Sequence, residues 1–473
     1  MSMRRVQQQT SWSDEQPLLR YVSTMGSTLY RNGVVHSRTD PFAEALVVAD
    51  GQVVWLGDES SVRGVLGSVD TVVDLDGALV APAFVDAHTH LVPVGRSELE
   101  RGPDATSSPP GAARSALAPT GPEHDVYAAA LAAAAAAGIV ALHEQSLPEH
   151  ETREGLAALL SATAADGSGW PAVLGYRAEL CETVDDARAI LSSVPRLIGL
   201  GAIHLDGEFD DRSAALRFAY TDAPGVRGEL LLGAEEVANH TAAATRAGVQ
   251  AAFHVVGDRA LHEALIGIQV AAEIEGIGPV RGLGHRIEHA PMTDASALAT
   301  LLLLGLTVVA LPQRDLAGTG QGGSAEQRLG TNRAGALVPM ADLAGAGVPL
   351  ALGSSSRHVA FDPWGAIRSA VLHPDPGQRV SARAAFRAHT RGGWRAAHLD
   401  GTGAGEIRVG APAHLAMWRA ESLVVQAPDG RLAAWSTDPR AGTPLLPELG
   451  TDVPTPVCVR TLRAGHVIYD TLS

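Results

Sequence analysis

The sequence predicts a (β/α)8 TIM-type barrel flanked by a small β-sandwich that both ends of the chain build. Between about residues 81 and 402, eight apolar strand-like segments alternate with helix-compatible segments, which is typical of βα units around a parallel sheet. Short β-like segments with turn signals precede and follow that region. The chain has 473 residues, enough for a barrel of roughly 250 residues plus an accessory domain.

The predicted domain boundaries follow these changes in pattern. Residues 1–20 form a polar arm, and residues 81–402 form the barrel. Residues 21–80 have the pattern of short strands, and the chain returns to similar short β-like segments in residues 403–473. The simplest arrangement pairs the two terminal regions in one β-sandwich beside the barrel.

Glycines mark predicted turns and boundaries along the chain. The pairs Asn32-Gly33 and Asp50-Gly51 lie between apolar runs and predict β-hairpins. Two uncharged runs, Val126–Leu142 and Ser296–Leu311, each contain one glycine. Each run is therefore predicted to be a helix, a glycine stop and a buried strand, rather than a membrane span of about 20 apolar residues.

The predicted barrel strands are LVAPAFVDAH, GIVALHE, PAVLGYRAE, IGLGAIHLDG, VQAAFHVVG, RGLGHRIEHA, LTVVALPQ and VPLALGSS. Two polar, glycine- and proline-rich segments, Arg96–Pro122 and Arg314–Asn332, interrupt the series after barrel strands. Barrels of this type keep their sites at that face. The two segments are either lids over a site or plain insertions.

The composition excludes some classes of function. The formal net charge is −16, from 36 basic and 52 acidic residues, so no basic surface for nucleic acid is expected. Every one of those basic residues is arginine, because the sequence contains no lysine. Cys181 and Cys458 do not make a disulfide framework, and the N-terminal segment lacks the apolar core of a signal peptide. We therefore expect a cytoplasmic protein with no membrane segment.

The segment FVDAHTHL ends an apolar strand with two histidines. Strand side chains alternate between faces, so His88 and His90 point the same way, about 6–7 Å apart along the strand. His254 and His289 occur near the ends of the fifth and sixth predicted strands. Zinc favours imidazole nitrogen, and histidines at the ends of three barrel strands would converge on one ion.

Several phrases resemble the amidohydrolase superfamily of metal-dependent hydrolases. They are PAFVDAHTHL, LDGEFDDRSAAL, HVVGDRAL, RIEHA and GEIRVGAPAHLAMW. Their order and spacing are similar to those of the superfamily over about residues 25–470. The likeness is strongest to its group of exoenzyme-regulatory and N-substituted formamide deformylase-like proteins.

This resemblance implies a barrel in which water bound to one or two divalent metal ions attacks an amide, formamide or related C–N bond of a small molecule. The histidines favour zinc as the metal. His88 and His90 match the ligands of the first strand, His254 that of the fifth, and His289 that of the sixth. Asp258 matches the aspartate of the family's GDR and takes an expected catalytic role. The sequence leaves the oligomeric state open, although large acidic barrels of this type are often homodimers.

Two positions depart from the family pattern. Much of this group carries a metal-bridging lysine four residues before the DG, where this chain has Ala202. The family's strand-eight aspartate binds metal and accepts a proton, and Ser355 occupies that position. A hydroxyl cannot replace a carboxylate as general base near pH 7, so Ser355 is expected to contact substrate instead. The expected site is mononuclear, with four histidines, no anionic ligand and no assigned proton acceptor.

Other polar residues at strand ends are candidates for the missing roles. Glu144 ends the second strand and is either a base or ligand, or a structural carboxylate paired with an arginine. His358, in the loop after strand eight, is a candidate general base. Tyr176 and Arg177 end strand three and are expected to contact substrate. His204, two residues before the DG, either contacts substrate or is a core histidine.

Three classes of function fit these residues. The first is a metal-dependent amidohydrolase, which the motifs favour. The second is a non-hydrolytic pseudoenzyme or small-molecule binding barrel that keeps the histidines. The third is a metal-assisted deaminase, lyase or isomerase with a different proton carrier. Fold analogy cannot choose the substrate.

Overall fold

In a computed structural model of the chain, the described residues are 26–101, 122–355, 360–426, 435–436 and 444–472. The polar arm predicted for residues 1–20 and the candidate base His358 lie outside these ranges.

The strands, numbered along the chain, are β1 Ser27–Arg31, β2 Val34–Val35, β3 Ala45–Ala49, β4 Gln52–Gly57, β5 Thr71–Asp74, β6 Leu79–Pro82, β7 Phe84–Thr89, β8 Ile139–Ser146, β9 Ala172–Arg177, β10 Gly199–His204, β11 Gln250–Val255, β12 Arg286–His289, β13 Thr307–Ala310, β14 Leu350–Leu352, β15 Leu415–Arg419, β16 Leu423–Gln426, β17 Trp435–Ser436, β18 Leu446–Pro447, β19 Val457–Arg463 and β20 His466–Asp470.

The α-helices, numbered in the same way, are α1 Leu91–Arg101, α2 Pro122–Ala136, α3 Arg153–Thr163, α4 Val184–Ser193, α5 Ala234–Ala247, α6 Asp258–Glu275, α7 Ile277–Leu283, α8 Ala295–Leu304, α9 Pro312–Asp315, α10 Ser324–Leu329, α11 Thr331–Gly335, α12 Met340–Ala346, α13 Pro363–Val371, α14 Ala382–His389 and α15 Arg391–Ala396.

Strands β7 to β14 form one eight-stranded parallel sheet in sequential order, with helices between most of them. The sheet curls until its two edge strands meet. The backbone N–H of Ser355, beyond β14, donates to the carbonyl oxygen of His88 in β7 at 2.8 Å. The backbone N–H of Ser354 donates to the Asp86 carboxylate at 3.0 Å. The predicted (β/α)8 barrel is confirmed, and all eight predicted segments contain a barrel strand.

The two uncharged runs have the predicted helix, glycine and strand order. Gly138, with φ +71°, separates α2 from β8, and Gly305, with φ +65°, separates α8 from β13. Both glycines take the left-handed conformation that ends a helix at little cost. Among the described helices, none is long and apolar enough to cross a membrane.

The segments predicted as lids or insertions contain helices. Residues 96–101 continue α1, and residues 102–121 lie outside the described ranges. Residues 314–332 include the end of α9, all of α10 and the start of α11.

Further sheets come from both ends of the chain, as predicted. One has the order β4-β3-β1-β5, and another has the order β2-β6-β15-β19-β20, which interleaves N-terminal and C-terminal strands. Their buried side chains share one apolar cluster that includes Leu46, Val80 and Met417. This apolar cluster therefore consists of residues from both ends of the chain.

One of the two predicted hairpins is confirmed and the other is wrong. Asp50 and Gly51, with φ of +46° and +76°, join β3 to β4 in an antiparallel pair. Asn32-Gly33 instead passes the chain between sheets, because β1 pairs with β3 and β5 whereas β2 pairs with β6. A Cβ at Gly33 would lie 2.6 Å from the Leu75 side chain, so close packing requires the glycine.

An aromatic cluster joins the terminal sheets to the amino end of the barrel. The ring of Phe84, the first residue of β7, lies 5.1 Å from that of Trp364 and 5.5 Å from that of Trp418 in β15. His88 and His90 lie at the other end of β7. The terminal sheets therefore contact the barrel at the amino end of β7, and the histidines lie at the carboxyl end of that strand.

Candidate metal centre

Imidazoles from three strands meet at the carboxyl end of the barrel. The ring centroids of His88 and His90 are 5.3 Å apart, those of His88 and His289 are 5.4 Å apart, and those of His254 and His289 are 4.6 Å apart. All four side chains are buried. The Nδ1 of His90 lies 2.8 Å from the carbonyl oxygen of Gln145 in β8. The four histidines predicted as ligands thus form one contiguous cluster.

A carboxylate joins this cluster. Glu208, His254 and His289 each present one ligand atom, and these three atoms all lie within 4.8 Å of one another. The Oε1 of Glu208 is 3.5 Å from the Nε2 of His254. The expectation of a site without an anionic ligand is therefore corrected, because Glu208 brings a negative charge that Ala202 and Ser355 cannot supply.

Asp206 fixes the start of the loop that carries Glu208. Its carboxylate accepts backbone N–H hydrogen bonds from Ala215 at 2.9 Å, Val256 at 2.9 Å and Gly257 at 2.7 Å. Burial raises the pKa of Asp206 to about 7, although the three N–H donors oppose that shift. These three hydrogen bonds connect the end of β10 to the end of β11, where His254 lies.

Gly207 and two polar contacts aim the Glu208 side chain. A Cβ at Gly207 would lie 1.9 Å from the Oγ of Ser213, so only glycine allows this close turn. The backbone N–H of Glu208 donates to that Oγ at 2.9 Å. The Nη2 of Arg314 lies 2.7 Å from Glu208 Oε1.

The electrostatic surroundings keep Glu208 ionised. Burial alone would raise the pKa of its carboxyl, but the contact with His254 and the charges of His289 and Arg314 outweigh burial. The pKa of Glu208 is therefore held well below its ordinary value. A permanently negative oxygen at this position suits a metal ligand.

Two of the imidazoles each have a carboxylate within hydrogen-bond distance of Nδ1. The Nδ1 of His88 is 2.8 Å from the Oε2 of Glu288, and the Nδ1 of His289 is 2.9 Å from the Oδ1 of Asp315. Any metal held by either ring would therefore be bound through Nε2. The Nε2 of His289 is buried and has no hydrogen-bond partner among the described residues. Metal-binding histidines commonly have this carboxylate support.

A buried arginine completes the support of His88. The Nε of Arg286 donates to Glu288 at 2.8 Å, and its Nη2 donates to the carbonyl oxygen of Ala87 at 2.6 Å. Its Nη1 lies 2.7 Å from the Nδ1 of His143. These groups are all buried, so the orientation of Glu288, and through it that of His88, is fixed inside the barrel.

The residues present fit a divalent transition metal. Imidazole nitrogens and one ionised carboxylate are donor types that zinc accepts, and the Nδ1 atoms of His88, His90 and His289 are engaged elsewhere. The orphaned Nε2 of His289 is the atom that such an ion would satisfy. The cluster lies at the barrel face where an enzyme site is expected.

The family model described as "Amidohydrolase family" matches residues 111–469. The chain belongs to the amidohydrolase family. The matched region includes Glu208, His254 and His289, whereas His88 and His90 precede it.

Curated relatives of this amidohydrolase align over short segments. The imidazolonepropionase of Nocardia farcinica is 41% identical over 68 residues, which are 14% of this chain and 16% of that protein. The N-substituted formamide deformylase of Arthrobacter pascens is 41% identical over 49 residues, which are 10% of this chain and 9% of that protein. The chain therefore aligns with less than a fifth of the length of either protein.

Solved structures align over most of the chain. An uncharacterized metal-dependent hydrolase from Pyrococcus furiosus has a TM-score of 0.64 at 21% identity, covering 83% of this chain and 98% of that one. A triazine hydrolase variant has a TM-score of 0.57 at 16% identity, covering 94% of this chain and 95% of that one. At these identities the likeness shows the fold.

The side chain of Glu144, in β8, faces the outer helix layer of the barrel, and its role as base or ligand stays a prediction. Glu144 pairs with Gly175 in β9, where an added Cβ would meet Leu160 of the outer helix layer at 2.8 Å. Its carboxylate accepts the backbone N–H of Leu91, at the start of α1, at 2.7 Å. Burial and the neighbouring Glu151 raise the pKa of Glu144 well above its ordinary value.

Tyr176 and Arg177 are also placed away from the mouth of this amidohydrolase. Tyr176 is fully buried and donates its hydroxyl to Gln250, the first residue of β11, at 2.5 Å. Arg177 is 4% exposed and donates to Ser146 and to the Glu151 carbonyl oxygen at 3.0 and 2.8 Å. Their polar groups are engaged within the protein, and their substrate contacts stay predictions.

Asp258 holds a loop and is not part of the metal-ligand group. Its Oδ1 accepts the backbone N–H of Arg217 at 2.9 Å. It lines a surface groove with His262, between α6 and α8. The preceding Gly257 packs against Ala215, where an added Cβ would lie 2.0 Å from the carbonyl oxygen. This contact gives the GDR aspartate a positioning role, and its expected catalytic role stays a prediction.

His204 and Ser355 are placed at the site. The His204 ring stacks on that of His254 with centroids 4.2 Å apart. Ser355 lies beside His88 through its backbone hydrogen bond and lines a cavity with Glu208 and Arg314. Their expected substrate contacts stay predictions that this placement allows.

Three residues at the site were missed by the sequence analysis. Glu208 was visible in LDGEFDDRSAAL, where the resembled phrase reads FADGSLGSRTAAL, but its carboxylate was not weighed. Arg314 and Asp315 follow β13 and had no local pattern that would single them out. Only the position of that strand beside β12 brings Asp315 to His289.

Proposed function

We propose that this amidohydrolase is a zinc-dependent hydrolase of an amide, formamide or related non-peptide C–N bond in a small molecule. The observation that carries the proposal is the convergence of Glu208, His254 and His289, with ligand atoms within 4.8 Å of one another at the barrel mouth. Relatives named imidazolonepropionase and N-substituted formamide deformylase support C–N bonds as the target.

We assign one metal ion to Glu208, His254, His289 and the adjoining pair His88 and His90. A bound zinc ion would supply Lewis acidity that polarises a carbonyl group and lowers the pKa of water. Glu208 balances part of the charge, and Arg314 fixes the carboxylate in place. Because its pKa is lowered, Glu208 is a poor proton acceptor and serves better as an anionic ligand.

A cavity beside this group suits a small-molecule substrate. It has a volume of about 460 Å³ and is lined in part by Glu208, Arg314, Ser354 and Ser355. Small-molecule sites commonly have volumes of roughly 300 to 1,000 Å³. We place the substrate there, with His204 and Ser355 as contacts.

The test compares Glu208→Gln with Glu229→Gln, a carboxylate in the same inter-strand segment that is exposed. The purified wild-type protein is expected to hold about one zinc ion per chain, measured by elemental analysis. Glu208→Gln should weaken zinc binding by at least about 100-fold, because it removes a direct ligand rather than a supporting group. Hydrolysis of a panel of formamides, acyclic amides and cyclic amides should fall with it, whereas Glu229→Gln should match wild type.

Other outcomes would overturn the proposal in different ways. Wild-type zinc affinity in Glu208→Gln would remove Glu208 from the site. Zinc binding without turnover on any C–N substrate would favour a binding barrel. Release of ammonia with the ring or chain otherwise intact would make the protein a deaminase.

A further inference from the structure

The interior face of β8 carries two buried polar side chains, His143 and Gln145. His143 points into the barrel, because its Nδ1 lies 2.7 Å from Arg286 and its ring stacks on Tyr176 at 6.1 Å. Strand alternation puts Gln145 on the same face. Gln145 is also in register with Tyr176 of β9, over whose ring the Arg286 guanidinium lies at 4.4 Å inside the barrel.

These side chains leave polar atoms without partners. Gln145 is fully buried, and neither its amide oxygen nor its amide nitrogen has a hydrogen-bond partner within the described ranges. The same holds for the Nε2 of His143. Because Arg286 donates to Nδ1, the neutral His143 ring carries its proton on Nε2. Burial and the nearby Arg286 charge lower the pKa of His143 well below its ordinary value, so the ring is neutral.

Buried polar groups without partners are rare, because each forfeits its hydrogen bonds to water. In this barrel the unpartnered atoms of Gln145 and His143 lie near the candidate metal ligands. The carbonyl oxygen of Gln145 is 2.8 Å from the Nδ1 of His90, so Gln145 belongs to the layer of the mouth that contains His90. Because the Gln145 side chain points into the barrel from this layer, its amide lies on the side of the mouth that carries His90.

We propose that Gln145, with the Nε2–H of His143 beneath it, forms an uncharged subsite that binds the amide edge of a cyclic amide substrate. The inference rests on the proposed function and narrows its substrate class. A carboxamide presents a carbonyl acceptor and an N–H donor side by side. A lactam or cyclic imide also presents an N–H and a C=O on one edge. The Gln145 carboxamide therefore forms two hydrogen bonds with that edge. An acyclic trans amide points these groups in opposite directions and forms one.

The test uses Gln145→Leu, which keeps the approximate shape and removes both polar atoms. In the zinc-loaded protein without substrate, its melting temperature is expected to equal or exceed that of wild type, since no protein partner is lost. The preference in kcat/KM for a cyclic amide such as hydantoin over N-methylacetamide should fall at least tenfold. Zinc content should not change.

Gln250→Leu is the matched control, because Gln250 is a buried glutamine with its amide satisfied. Its Nε2 donates to the carbonyl oxygens of Leu283, Gly284 and Ala396, each at 3.0 Å. Removing these bonds should lower the melting temperature clearly. A similar fall in Gln145→Leu would overturn the proposal, because the Gln145 amide would then support the fold.

Calorimetric binding of hydantoin to the zinc-loaded protein separates this inference from the proposed hydrolysis. Hydantoin binding that Gln145→Leu abolishes supports the subsite even if no bond is cleaved. Turnover with an unchanged cyclic preference in Gln145→Leu overturns the subsite and leaves the hydrolase intact. No hydantoin binding by the wild-type protein overturns the subsite as well.

Discussion

Single side chains that contact the Nδ1 atoms of the imidazoles set the orientation of the candidate metal ligands. Asp315 accepts from the Nδ1 of His289 at 2.9 Å and is itself buried. Burial alone would lower the pKa of His289, but the Asp315 carboxylate outweighs burial and raises it. The carboxylate therefore both orients the ring and makes its nitrogen more basic.

Asp315→Asn should weaken zinc binding by about 10- to 100-fold, because the amide keeps the shape and loses the charge. The measurement is zinc affinity by competition with a chromophoric chelator. Asp185→Asn is the control, since the Asp185 side chain is 87% exposed and pairs with Arg188 three residues away. Equal zinc affinities in the two variants would contradict the role of Asp315.

The sequence identified the histidines because each ends an apolar strand, which is a local pattern. It could not decide which side of β8 faces inward. Glu144 and Gln145 are adjacent, so a change of one residue in phase exchanges their environments. Glu144, at the end of the second predicted strand, was the predicted base or ligand, and the structure places its side chain under α1, with Gln145 inside.

The carboxylate of Asp206 joins two strand ends and a long loop. Asp206 accepts N–H bonds from β10's following loop at Ala215 and from the residues after β11 at Val256 and Gly257. The loop from residue 207 onward carries Glu208, whereas β11 carries His254. The distance between these two candidate ligands therefore depends on Asp206.

Asp206→Ala should lower the free energy of unfolding by at least about 3 kcal/mol, since it strands three buried N–H donors. It should also abolish tight zinc binding, because Glu208 loses its position. Urea unfolding followed by circular dichroism gives the first quantity, and chelator competition gives the second. Asp210→Ala, at a side chain that is 81% exposed, should leave the unfolding free energy nearly unchanged. A stable Asp206→Ala variant with normal zinc affinity would rule out this positioning role of Asp206.

The alternation of strands and helices could be predicted because each barrel strand is buried on both faces and so forms an apolar run. Hairpin signals were less informative. Asp50-Gly51 and Asn32-Gly33 have the same signature, yet only the first joins paired strands. A turn sequence specifies the local backbone, and the pairing of β2 with β6 depends on residues far along the chain.

The terminal sheets and the barrel share a core. Trp418 of β15 packs against Phe84 and Trp364, and an added Cβ at Gly138 would lie 2.3 Å from its ring. Arg463 of β19 donates to the Thr163 carbonyl oxygen at 2.7 Å. Sequence patterns indicated that both termini form strands, but not that these strands contact the first barrel strand.

This shared core predicts cooperative unfolding. Trp418→Ala should cost about 3–5 kcal/mol, because it leaves a cavity between β15 and the amino end of the barrel. Loss of ellipticity and release of zinc, followed in parallel during heating, should shift down together and remain superimposed. Trp55→Ala is the control, since Trp55 packs within the N-terminal sheet and should shift the transition less. An early transition confined to the terminal sheets, with zinc retained at the wild-type temperature, would mean that the barrel is stable without them.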